Sequence, residues 1–278
     1  METNPLKQYF RQPAIYVRLP SSGKFYQPEA LLHTDNNEYP VLPMTTMDEI
    51  TYRTPDALFN GTAVTSVIQS CMPNIRDAWQ MPSIDVDTVL IAIRIASYGH
   101  NMQIATTCPK CDNEQDYDLD LRRVMEGIEC ADYDQPLKLG DLQLFLRPMT
   151  YKDMNENNMT QFEEQKTMQM LQDESVAETD RLRYLNQVLQ KITQVTAKAI
   201  AQNIAMVKTP EIQVTDQAQI MDWLLNCDRH VFNRVKNHVI NMKSKSEIKP
   251  LHIKCGNCSN EFDQQYTLDM STFFADAS

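Results

Sequence analysis

Cys108-Pro109-Lys110-Cys111-Asp112-Asn113-Glu114 and Cys255-Gly256-Asn257-Cys258-Ser259-Asn260-Glu261 are the stretches that decide the reading of this chain. Each holds a Cys-x-x-Cys pair followed, after two residues, by a glutamate. An alternating run precedes each pair, Met102-Gln103-Ile104-Ala105-Thr106 before the first and Leu251-His252-Ile253 before the second. An aromatic and a leucine–aspartate strand follow each, Tyr117-Asp118-Leu119-Asp120 and Tyr266-Thr267-Leu268-Asp269. The chain therefore carries a pseudo-repeat of strand, knuckle, strand. A two-residue gap lets both thiolates of a tight turn face one ion, and two such turns complete a tetrahedron with Zn–S near ~2.3 Å. Zinc lowers the thiol pKa, so the thiolates persist at neutral pH. Cys108, Cys111, Cys255 and Cys258 are thus the candidate ligands of a Zn2+ ion. Four sulfurs close its shell, which makes it structural rather than catalytic. The pairs stand half the chain apart, much farther than in a contiguous ribbon. The arrangement that reconciles them is a split ribbon with a helical block inserted between its halves.

Rival readings of the thiols remain. Two redox-active pairs call for a neighbouring βαβ pattern, which the sequence does not show. Disulfides do not suit a reducing cytoplasm, and seven cysteines is an odd number. Unrelated reduced thiols are the remaining alternative. Cys71, Cys130 and Cys227 read as ordinary core or surface cysteines. His252, three residues before Cys255, is either an ordinary strand residue or a group supporting the metal ligands. His230 and His238 read as surface or packing residues. Asp116, Asp118 and Asp120 alternate on one strand face, where a solvated surface is the plainer reading than a cation site.

The 278 residues bound one large domain or two smaller ones. Apolar residues make up 42 % and charged residues 23 %, a globular composition. No apolar run is long enough to span a bilayer. Glu2, Lys7, Arg11 and Arg18 interrupt the first nineteen residues and leave no apolar core for a signal peptide. A net charge of -11 repels phosphate backbones and anionic lipid. Only six glycines occur, at 23, 61, 99, 127, 140 and 256, none within ten residues of another. The dinucleotide fingerprint, the phosphate loop and the nucleophile elbow all need closer glycines and are absent. No histidine begins a His-Glu-x-x-His or His-x-Glu motif. No catalytic residue stands out, and the chain reads as a non-enzyme without a small-molecule substrate.

Local patterns supply the rest. Ile15, Val17 and Leu19 alternate as a strand, a Pro20–Gly23 turn follows, and Lys24–Tyr26 reads as a second short strand. Asp35–Asn37 turns the chain ahead of Tyr39 and Val41. Thr45 or Thr46 caps a helix with Asp48 and Glu49 in its first turn, and Pro55 interrupts it. A helix over 62–71 buries Val64, Val67, Ile68 and Cys71. Another over 85–98 buries Val86, Val89, Leu90 and Ile93, is capped by Ser83 or Asp85, and ends at Gly99. Residues 137–146 form a hairpin. A polar, methionine-rich stretch covers 150–175, and a helix is predicted over 176–207. Its Leu182, Leu185, Leu189 and Ile192 make a stripe suited to another helix. Thr215 caps the next helix, Val231–Val239 marks the last, and Lys243–Lys249 reads as a charged linker. The fold class is α+β: a mixed domain with a split four-cysteine zinc ribbon and an inserted all-helical block. The expected domains are 1–150 with the first knuckle, a helical insertion at 151–245, and 246–278 with the second knuckle, packed on the first.

Several elements in order carry a resemblance. They are Leu19-Pro20-Ser21-Ser22-Gly23-Lys24-Phe25-Tyr26, then Pro43-Met44-Thr45 with Asp48-Glu49, then Arg94 with Ser97-Tyr98-Gly99. The first Cys-x-x-Cys with its aspartate-rich strand and a terminal Cys-x-x-Cys ending in Phe273-Phe274 complete the order. The chain resembles the baseplate hub and hub-assembly proteins of T4-type contractile-tailed phages over residues 11–150 and 250–275. That resemblance implies a non-enzymatic protein of tail morphogenesis. It would act in the host cytoplasm during assembly or stay in the virion tail baseplate. Its partners would be other tail proteins, hub components and the tape-measure protein among them. The Leu182–Ile192 stripe or the methionines would supply the partner face. The competing reading is a zinc-ribbon nucleic-acid-binding regulator. It would need a basic face, for which only Lys110, Arg122, Arg123 and Lys254 are candidates, set against Asp112, Asp116, Asp118 and Asp120.

Overall fold

The computed structural model describes residues 5–170, 178–268 and 273–274, without the side chains of 8, 169–170, 178–187 and 189. The chain forms two compact units, Met1–Cys130 with Ser246–Ser278, and Ala131–Lys245. Helices and small antiparallel sheets share the fold, which is α+β.

In the first unit, β1 (Ile15–Val17) pairs antiparallel with β2 (Tyr39–Val41). The strand predicted at Lys24–Tyr26 is a turn, and Leu19 lies beyond β1. The reason is backbone conformation: Ser22, Gly23 and Phe25 hold φ of 53°, 76° and 70°, which no strand admits. A Cβ on Gly23 would stand 2.9 Å from the His33 ring, so glycine is needed there. The turn hangs from Asp85, whose carboxylate accepts from Ser21 N–H at 2.8 Å and Ser21 Oγ–H at 2.6 Å.

Four helices follow in this unit. They are α1 (Thr46–Tyr52), α2 (Pro55–Phe59), α3 (Thr62–Cys71) and α4 (Ser83–Tyr98). Thr45 caps α1 in a reciprocal box. Its hydroxyl accepts from Asp48 N–H, and the Asp48 carboxylate accepts from Thr45 N–H at 2.8 Å. Pro55 does more than interrupt: it occupies the first turn of α2, where its missing N–H costs nothing. Helix α3 buries Val64, Val67, Ile68 and Cys71 as the spacing predicts. Helix α4 is buried on every side, with Ile84, Ile91 and Ala92 enclosed as fully as its predicted stripe. A helix apolar all round belongs in the middle of a core. Pro82, not Ser83 or Asp85, stands at its N-cap: both predicted caps already lie inside the first turn, and the Asp85 carboxylate bonds Ser21. Beyond α4 come β3 (Asn101–Thr107), β4 (Glu114–Asp120) and α5 (Leu121–Glu126).

The second unit centres on an antiparallel four-stranded sheet. Its strands are β5 (Leu137–Leu139), β6 (Leu142–Leu146), β7 (Ile204–Lys208) and β8 (Gln213–Val214), in that spatial order. Its helices are α6 (Tyr151–Met170), α7 (Glu178–Gln202), α8 (Gln217–Asn226) and α9 (Arg229–Lys245). The helix predicted to reach 207 stops at Gln202. Asn203 ends it, donating its side-chain amide to Ala199 O at 2.7 Å, while its own carbonyl accepts from Arg147 N–H at 2.9 Å. The run Ile204-Ala205-Met206-Val207, β-branched at both ends, then pairs with the free edge of β6, Leu144 opposite Val207. The polar stretch after 150 is helical because Thr150 and Asp153 repeat the capping box of α1. A polar chain joins α6 to α7, with Asn157 donating to Gln202 and Gln202 to Asp153, both at 2.9 Å. Asp216 rather than Thr215 caps α8, accepting from Gln219 N–H at 2.9 Å. Part of the predicted charged linker continues α9 as far as Lys245. After it, β9 (Leu251–Lys254) and β10 (Glu261–Gln264) belong to the first unit. Among the described residues no helix is long and apolar enough to cross a membrane.

Candidate metal centre

Two hairpins built alike carry the paired cysteines. Strands β3 and β4 run antiparallel from Asn101 opposite Asp120 to Thr107 opposite Glu114. The turn beyond them is closed by Cys108 N–H to Asn113 O at 3.0 Å and Asp112 N–H to Cys108 O at 3.0 Å. Strands β9 and β10 pair from Leu251 opposite Gln264 to Lys254 opposite Glu261. Their turn repeats the same bonds, Cys255 N–H to Asn260 O at 2.8 Å and Ser259 N–H to Cys255 O at 3.0 Å.

The turns bring four sulfurs together. The Sγ atoms of Cys108, Cys111, Cys255 and Cys258 all lie within 4.8 Å of one another. Cys108 and Cys258 stand 3.7 Å apart, as do Cys111 and Cys255. A tetrahedron with Zn–S of about 2.3 Å has sulfur–sulfur edges of about 3.8 Å. The donor set therefore fits a tetrahedral thiolate ion with no open position. All four cysteines are free, and 3.7 Å is far beyond the ~2.05 Å of a disulfide. Among the described residues this is the one group of three or more His, Cys, Asp or Glu side chains close enough to share an ion.

The turns also prepare the sulfurs for charge. The backbone N–H of Cys258 draws the Cys255 thiol down to about 6 against desolvation, aided by the Asn257 N–H. At Cys108 burial opposes ionisation, and the N–H groups of Lys110 and Cys111 outweigh it, lowering the thiol. The donors stand two and three residues after the first cysteine in both knuckles. At Cys258 the Asn260 N–H favours the thiolate. Its contacts with Cys111, Cys108 and Cys255, together with desolvation, push it up to about 12. Four thiolates without a cation repel one another, so the cluster keeps a proton until a cation replaces it.

Gln115 locks the hairpins together, a role no pattern in the sequence singles out. Its side-chain amide donates to Lys254 O at 3.1 Å and accepts from Gly256 N–H at 2.8 Å. Asn257 donates to Cys111 Sγ at 3.8 Å, and Thr106 bonds Gln264. His252 is exposed and bonds Asp263 through Nδ1 at 3.0 Å, a contact that raises its pKa. Asp116 and Asp118 are exposed, while Asp120 caps α5 and pairs with Arg122 at 2.7 Å. Lys254 stands 3.8 Å from Glu261, so two of the four candidate cations of a basic face are neutralised locally. Cys71 is buried at the end of α3, Cys227 follows α8 half-buried, and Cys130 is exposed.

Of the stripe predicted to bind a partner, only the Ile192 side chain is described. Ile192 is 39 % exposed beside a groove of about 150 Å³ formed with Gln161, Glu164 and Val195. The side chains of Leu182, Leu185 and Leu189 lie outside the described residues.

The fold and the centre define an α+β protein with a four-cysteine cluster assembled from two distant hairpins. The sequence matches the family of T4 bacteriophage base plate proteins over residues 18–275, nearly its whole length, and the chain belongs to that family. No curated protein and no solved structure gives a match.

Proposed function

We propose that this baseplate protein is a non-enzymatic scaffold of the contractile-tail hub, as a resident component or an assembly factor, stapled by a structural Zn2+. The observation that carries the reading is the set of four converging sulfurs in a chain of the baseplate family. Cys108, Cys111, Cys255 and Cys258 would hold the ion. The bound ion would supply a cross-link between hairpins far apart in sequence. Four thiolates leave no position for substrate or water, so the ion is structural. The cross-link fixes the points where the chain leaves for Ala131–Lys245 and returns from it. Other tail proteins, the tape-measure protein among them, are the partners, and the Leu182–Ile192 stripe is a face for a partner helix. The protein acts in the host cytoplasm during assembly, and a hub component persists in the virion tail. Acidic residues crowd the ribbon, which weighs against the nucleic-acid reading.

The test counts copies of the chain by quantitative mass spectrometry in mature particles and in baseplate precursors from one infection. A small fixed number in both identifies a hub component. Presence in precursors alone identifies an assembly factor. Absence from both overturns the proposal.

A further inference from the structure

The two hairpins of the cysteine centre are two-stranded sheets, so the outer edges of β4 and β9 are unpaired by any described strand. Leu121 N–H donates to His100 O and Cys108 N–H to Asn113 O. With the register between them, the odd-numbered residues of β4 bond to β3. The backbone N–H and C=O of Asp116 and Asp118 therefore point away from β3. In the second hairpin, Cys255 N–H donates to Asn260 O, and the register turns the backbone groups of His252 and Lys254 away from β10.

Gln115 shows what such an edge accepts. Its carboxamide donates to the Lys254 carbonyl and accepts from the Gly256 N–H. A residue in a strand parallel to β9 would make that same pair of bonds. Farther from the knuckles, residues 117–120 of β4 and residues 248–252 border a cavity of about 280 Å³. Leu119, Val124 and Ile248 line it and are buried. Its volume is at the lower limit of the ~300–1,000 Å³ that usually encloses a small-molecule ligand. Open edges, by contrast, are templates for another chain. The edge is also charged: Asp116 and Asp118 are exposed with no ion pair to a cation among the described residues, while of the cations bordering the cavity, Arg123 and Lys249, the latter pairs with Glu129 at 3.5 Å.

We propose that the cleft between β4 and the 248–252 segment takes an extended, lysine- or arginine-bearing segment of a partner protein by strand addition. Alternate apolar side chains of that segment rest on Leu119, Val124 and Ile248. Its basic side chains face Asp116 and Asp118. The proposal names the kind of segment the scaffold captures and so rests on the scaffold reading. Particle counting tests that reading without the cleft, and the measurement below tests the cleft without particles.

The probe is a fluorescein-labelled peptide of about ten residues alternating lysine and valine, with a glutamate–valine counterpart. Binding to the metal-loaded full chain is read by anisotropy. Saturable binding of the lysine peptide, with the glutamate peptide at least about tenfold weaker, is expected. Asp118→Pro removes an outward N–H without touching a backbone bond to β3, giving up only the exposed side-chain bond from Gln103 at 3.2 Å, and edge strands tolerate proline. It should weaken binding about tenfold, while Asp118→Asn, which keeps the N–H, should weaken it less. On binding, the amides of Asp116, Asp118, His252 and Lys254 should slow their hydrogen exchange. No saturable binding, protection at other amides, or equal affinity for both peptides overturns the proposal. If Asp118→Pro loses its metal, amide exchange in the unaltered chain decides alone.

Discussion

Asp112 and Ser259 share a left-handed backbone, φ 53° and 55°, each directly after the second cysteine of its knuckle. The match extends to the turn bonds that follow, so the two halves of the cluster are one motif used twice. A non-glycine residue at such φ costs about 1–2 kcal/mol, less for aspartate and more for a β-branched residue. Ser259→Gly should therefore raise the unfolding midpoint by a few degrees. Ser259→Val should lower it and speed metal release to a chromogenic chelator. Equal release rates for all three proteins would separate this backbone strain from the cluster.

The cysteines make a sharper prediction. The full chain purified with zinc should carry about one ion, and Cys255→Ser should lose it. Stripping the ion with EDTA should lower the first unfolding transition by about 10 °C. Elemental analysis and calorimetry check both. Zinc content that survives Cys255→Ser would mean that the two knuckles do not share an ion.

The cluster was legible because cysteine spacing is a strong signal that survives a long insertion. Helix α3 was legible because its apolar residues repeat at helical spacing. The start of α1 was legible in Thr45 and Asp48, yet the same pair at Thr150 and Asp153 went unread in a stretch with no apolar stripe. The end of α7 was hidden because Ile204–Val207 continues a helical pattern, and only the open edge of β6 makes it a strand. Gln115 was invisible, since a glutamine in a strand announces nothing until a second hairpin stands beside it.

Asp85 carries a pH prediction. Burial raises its carboxyl from 3.8 to about 6, although bonds from Ser21 and Tyr26 oppose the rise. A raised folded pKa means that the folded chain binds the proton more tightly than the unfolded one. The stabilising contribution is complete below about pH 4 and is lost as pH rises through about 6. The shift corresponds to about 3 kcal/mol. Asp85→Asn cannot ionise, so its stability relative to the unaltered chain should rise by about that amount between pH 4 and pH 7. Urea unfolding at several pH values checks this, and a constant difference would place the titration elsewhere.

Arg94 ties down Phe273. Its side chain is buried within α4, donates to the Phe273 carbonyl, and stacks 5.2 Å from the Phe273 ring and 5.8 Å from the Tyr98 ring. Phe274 in turn meets Tyr52 edge-on at 4.6 Å. Phe273→Ala should cost about 3–4 kcal/mol, as for a buried aromatic. Arg94→Met should be coupled to it by about 1–2 kcal/mol in a double-mutant cycle read by denaturant unfolding. Additive losses would mean that the ring packs without help from the guanidinium.

The proposed docking stripe on α7 predicts that partner capture can be separated from folding. Ile192 is exposed, whereas Val188, one turn earlier on the same face, is buried, so exposure along that face changes over one turn. An aspartate at an exposed position costs little stability, because a surface charge keeps its hydration. In a partner's groove the same aspartate is desolvated without a counter-charge and costs several kcal/mol of binding. Leu185→Asp combined with Leu189→Asp should therefore abolish co-purification of hub components with the tagged chain from infected cells. Metal content and unfolding midpoint should stay within error of the unaltered protein. A variant that folds, keeps its metal and still captures its partners moves the docking face away from α7. A variant that unfolds places the two leucines in the core, and either result removes the stripe from the scaffold's binding surface.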